Sequence, residues 1–102
     1  MLREPATKEE FLDALEEAMG DMEDLIVCST DDDEDVMGDL VETLKGMGHA
    51  MKQLQTRVEA GQHAFADGHD LPFMALARTY RRVIPFFSLL DAINRAHLKG
   101  VA

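Results

Sequence analysis

The chain is expected to be all-α: an antiparallel helical bundle of three main helices, with a long central helix and a third helix kinked at Pro85. Three observations point there. Met37, Leu40, Leu44, Met47, Met51, Leu54, Val58, Gly61 and Phe65 follow one another in alternating steps of three and four, the repeat of a helix packed along a seam. One amphipathic stripe precedes that stretch, and an aromatic-rich one follows it. A helix of this extent would be about 50 to 55 Å long at 1.5 Å per residue, so its partners must run alongside it. Residues 1–102 are read as one domain, of a size at which association often completes the burial of apolar surface.

The elements follow in order. Residues 1–6 read as a flexible tail ending near Pro5. Thr7 then opens a first helix over Lys8–Val27, with Glu10 three residues on as the second half of a capping box. Phe11, Leu15, Ala18, Met22 and Leu25 form its apolar stripe, while Glu9, Glu10, Asp13, Glu16, Glu17, Asp21, Glu23 and Asp24 fill the opposite face. The second helix, Asp31–Ala66, opens on the run Asp31 to Asp35. That run lacks the alternating ligands and the glycine of a calcium loop, and suits the unpaired N–H groups of a helix start. Gly38, Gly46, Gly48 and Gly61 each weaken this helix by about 1 kcal/mol relative to alanine. Close approach of a neighbouring helix is the expected compensation, with a break at Gly46–Gly48 or at Ala60–Gly61 as the alternative. Asp67 and Gly68 read as its stop. Asp70 is placed to cap a third helix, Leu71–Leu98, whose stripe runs through Phe73, Leu76, Ala77, Tyr80, Val83, Ile84, Phe87, Leu90 and Ile93. Pro85 removes a backbone donor in its middle, and no polar turn residues flank it, so one kinked helix is expected rather than two.

Charge is uneven along the chain. Residues 1–50 hold sixteen acids against Arg3, Lys8 and Lys45, and residues 51–102 hold four acids against seven Lys and Arg. A net charge of −10 argues against nucleic acid or an anionic membrane as partner. The plain expectation is that the acidic first half faces the basic last helix, and the competing one is an acidic docking face for a basic partner. No segment resembles a signal peptide or a transmembrane span, and a lone Cys28 fits a reducing cytoplasm.

Few residues suggest chemistry. His63 and Asp67 have the i, i+4 spacing that puts two metal ligands on one helix face, and His69 and Asp70 follow at the turn. A solvated polar turn accounts for the same residues. His49 stands one position off the seam, and His97 sits where positive charge suits a helix C-terminus. Cys28 has no histidine placed beside it by local sequence. No cofactor is implied.

Glu42-Thr43-Leu44-Lys45-Gly46 resembles the His-x-Leu-Lys-Gly core of histidine phosphotransfer domains, which implies an acidic helical bundle. Glu42 replaces the phosphate-accepting histidine, so the resemblance carries no phosphoryl relay. Glu34 to Val41, reading EDVMGDLV, resembles the acidic helix of all-α nucleotide pyrophosphohydrolases. This implies Mg²⁺ held between two helices, with Glu9, Glu10 and Asp13 facing Asp39, but Val36 stands where that family needs an acid. In composition and class the chain is similar to bacterial export chaperones and other small acidic adaptors.

The leading reading is a non-enzymatic interaction module, acting through an apolar helix face and steered by an acidic one. Met37, Leu40, Leu44, Met47, Met51, Tyr80 and Phe87 are the candidate contact residues, and methionine suits a surface that repacks against different partners. Because the first helix is shorter than the other two, part of their stripe would stay uncovered. Self-association as a homodimer, or a second protein, is expected to cover it.

Overall fold

The computed structural model describes residues 4–30 and 34–101, with the side chains of these outside residues 29–39. Of the acidic run, residues 31–33 and the side chains of Glu34 and Asp35 lie outside the described residues, as do the side chains of Met37 and Asp39. Among the described residues there are four helices and no strand: α1 (Lys8–Thr30), α2 (Glu34–Glu59), α3 (Met74–Thr79) and α4 (Phe87–Lys99).

Thr7 starts α1 as its sequence implies. Its Oγ1 accepts the Glu10 N–H at 3.1 Å, and the Glu10 carboxylate accepts the Ala6 N–H at 2.9 Å, so two donors at the helix start are satisfied reciprocally. α1 packs on α2 and α4, and α3 packs on α4. Phe11, Leu15, Ala18 and Met22 of α1 meet Leu44, Met47, Met51, Leu54 and Val58 of α2, the seam positions, in one core. Leu71, Phe73 and Ile84 close it from the connecting segments, with Met74 and Ala77 from α3 and Leu89, Leu90, Ile93 and Ala96 from α4. Each fully buried large side chain in such a core contributes about 1.5 to 3 kcal/mol.

α1 runs on to Thr30, past the expected Val27, and three further boundaries differ from expectation, each for a local reason. α2 ends at Glu59, not Ala66. Gly61 takes a positive φ of 73°, its N–H bonds the Val58 carbonyl at 3.1 Å, and the Gln62 N–H bonds the Arg57 carbonyl at 2.8 Å. This is a Schellman stop, which glycine adopts without the strain a Cβ would bring. α3 starts at Met74 rather than Leu71, because the Asp70 carboxylate that should cap it is drawn sideways to Asn94 and Arg78. The expected kinked third helix is two helices. Pro85 has no N–H and disfavours helical geometry at Ile84, so the chain turns through residues 80–86 with the buried Ile84 as its anchor.

The expected close approach at the α2 glycines is also absent where the chain is described. A Cβ on Gly46 would meet nothing within 4 Å, and one on Gly48 would lie 3.7 Å from Met22 Cγ, an ordinary contact. With α1 at 23 residues and α2 at 26, the length mismatch that argued for a covering partner is small.

Candidate functional site

The loop released by the end of α2 folds back against α4, and there the histidines gather. His97 is 2% exposed, with its Nε2 at 2.7 Å from the His69 carbonyl and 3.2 Å from Asp67 Oδ1. Both of those atoms only accept, so Nε2 carries the proton. In the neutral ring Nδ1 is then an acceptor, and His63 Nε2 donates to it at 2.9 Å. The result is an Asp67–His97–His63 chain of polar contacts. Phe65 stands edge-on to His63 at 4.7 Å and to Phe11 at 5.1 Å, forming an aromatic wall.

One helical step away on α4, Asn94 makes the second clasp. It is 2% exposed, its Oδ1 accepts the Leu71 N–H at 2.8 Å, and its Nδ2 donates to Asp70 Oδ1 at 2.9 Å. Asp70 Oδ2 pairs with Arg78 at 2.7 Å. Between the clasps lies a polar cleft of about 300 Å³ lined by Arg57, Gln62, His63, Asp67, Asp70 and His97, among others. Burial, then the neighbouring His97 ring, holds His63 below the ordinary histidine value, with Asp67 opposing and Arg57 adding to the effect. Asp67 is lowered chiefly by the His69 N–H, and Asp70 chiefly by hydrogen bonds from Arg78 and Asn94.

His63, Asp67 and His69 thus come together, but not as expected. His63 and Asp67 lie beyond the helix, so the i, i+4 face does not exist, and His69 contributes its backbone while its side chain is exposed. Among the described residues no three His, Cys, Asp or Glu side chains are grouped to hold a metal ion. Asn94 and His97 were not expected. The signal for them is their place on the apolar face of α4, between Leu90, Ile93 and Ala96. Of the second carboxylate group, Glu10 serves the α1 cap and Asp13 is exposed.

The candidate contact residues separate in the same way. Leu44, Met47 and Met51 are fully buried in the chain's own core, so a partner does not reach them in this conformation. Leu40, Tyr80 and Phe87 are half-buried against it, and the Arg81 guanidinium lies 5.0 Å over the Phe87 ring. The expected pairing of an acidic half with a basic last helix reduces, among the described residues, to Glu4 with Lys99 at 3.1 Å. The carboxylates of α1 that have described side chains are in no ion pair. Near the far end of α1, Leu25, Cys28, Pro85 and Phe86 wall a cleft of about 400 Å³, with Asp21 and Asp24 at its edge. Among the described residues no helix is long and apolar enough to cross a membrane. No protein-family profile, curated protein or solved structure matches the chain.

Proposed function

We propose that the protein is a non-enzymatic interaction module that receives a basic, apolar-anchored segment of another protein in the cleft between α1 and the Pro85 turn. The observation that carries this reading is the juxtaposition in that cleft of an apolar wall, Leu25, Pro85 and Phe86, with Asp21 and Asp24, which have no ion-pair partner among the described residues. A Leu- or Phe-sized anchor matches the wall, and lysine or arginine beside it matches the carboxylates. The exposed acids along the rest of α1 would raise the encounter rate of such a segment.

Cys28 is the single cysteine and lines the cleft, so a fluorophore attached there reports occupancy. Titration with a Lys/Leu amphipathic peptide should quench or shift that label, and an isomeric peptide with Glu for Lys should not. The double variant Asp21→Lys, Asp24→Lys should weaken the basic peptide about tenfold, given about 0.7 kcal/mol for each exposed pair. Equal affinity for both peptides, or no loss in the double variant, refutes the reading. Light scattering decides whether the occupant is instead a second copy: a dimer whose mass holds across protein and salt concentrations replaces the foreign segment with self-association.

A further inference from the structure

We infer that His63 and His97 form a proton-operated latch that fastens the loop of residues 60–70 to α4 and lets it go when the pair takes up a second proton. The two rings face each other with centroids 4.9 Å apart and nitrogens 2.9 Å apart, across 34 residues of sequence. His97 Nε2 is committed as a donor to His69 and Asp67, so the pair shares the one proton on His63 Nε2. A first additional proton goes to His63 Nδ1 and leaves that shared bond in place. A second has nowhere to go but His97 Nδ1. Two N–H groups then point at each other, on two cationic rings, and the contact must open.

The surroundings bear on the same step. Arg57 of α2 adds positive charge beside His63, and Asp67 and Asp70 of the loop are the opposing charges, with Asp70 already paired to Arg78 of α3. Among the described residues no charge of α1 acts on His63, and the Phe11 ring of that helix, stacked 6.4 Å away, gives no compensation. The loop is under strain where the latch holds it. Ala66 has φ of 57°, a left-handed conformation costly to an L-residue, and its N–H is tied to the His97 carbonyl at 2.7 Å. Opening relieves Ala66 and uncovers the Phe11 and Phe65 edges, while the Asn94 clasp on Leu71 limits how far the loop travels.

Amide exchange of the whole ¹⁵N-labelled chain tests this, with protection corrected for intrinsic rates. From about pH 8 to about pH 5 the Ala66 amide should lose protection by about tenfold per pH unit for each proton the open form gains, while Leu15 and Met51 keep theirs. In His63→Gln the uncharged amide either donates or accepts across the same gap, so Ala66 protection should become flat with pH. The same slope in His63→Gln as in the wild type, or parallel loss at Leu15 and Met51, overturns the latch. Should the variant not fold, the ring ¹³C shifts of the wild type decide. Two shared steps seen at both His63 and His97 support coupling, and independent single steps refute it.

Discussion

Replacing Asn94 tests the idea that polar clasps, rather than apolar overlap, hold the second half of the chain together. Asn94→Ala removes the acceptor for the Leu71 N–H, and Leu71 is 2% exposed, so the orphaned donor does not reach water. An unsatisfied buried N–H costs about 1 to 3 kcal/mol. The bond from Nδ2 to the exposed Asp70 adds little, because solvent competes for it. The expected loss is therefore about 1 to 3 kcal/mol, or a fall in melting temperature of about 4 to 24 °C for a domain of this size. Urea unfolding followed by circular dichroism reads it directly. Asn94→Asp separates the two bonds: it keeps the oxygen facing Leu71 but sets a carboxylate against Asp70 2.9 Å away. That variant should be unstable at neutral pH and recover relative to the wild type in mild acid, where one proton between the two carboxylates restores a donor. A loss below about 0.5 kcal/mol in Asn94→Ala, the range of ordinary surface substitutions, would refute the reasoning.

Gly46→Ala should stabilise the protein by about 1 kcal/mol, since its φ is ordinary and the added methyl meets nothing, and a lower urea midpoint would show that the glycine is needed. Gly61→Ala should do the opposite, by about 1 kcal/mol, because its positive φ strains any Cβ even in open space. Stability should also fall with pH in two windows. His63 binds its proton more weakly in the folded chain than its ordinary 6.5, so the unfolded chain takes up more protons just below that value; stability is full above it and declines as pH drops through it. Asp67 and Asp70 lie below their ordinary 3.8, so their contribution is present above that value and is lost beneath it. Urea midpoints across the acid range test both, and the first window should vanish in His63→Gln.

The seam of α2 was legible because Leu44, Met47, Met51, Leu54 and Val58 obey one period and meet one partner. Past Glu59 the same period misleads. Phe65 continues the register yet reaches the core from a loop, and apolar spacing does not distinguish a helix from a segment that folds back on the same core. The glycine at position 61 was the contrary sign. Around Pro85 the opposite error arises: a turn is expected to be polar, but this one is anchored by a buried Ile84 and so carries no polar marker.

The histidine cluster was hidden for a different reason. Local spacing tests residues against their neighbours on one helix, whereas His63 finds its partner on α4 only because Gly61 ends α2 early. Asn94 and His97, three residues apart on the buried face of α4, were the available clue, since such positions hold polar side chains only when each has a partner. That pairing explains how a six-residue α3 stays in place. Too short to hold itself by helix packing alone, it is fixed through Asp70 and Leu71 to Asn94, just as the loop before it is fixed to His97. Sensitivity to substitution in the second half of the chain should then include these two polar residues beside the buried Leu71, Phe73, Met74 and Ala77, because each fixes where an apolar segment sits on the core.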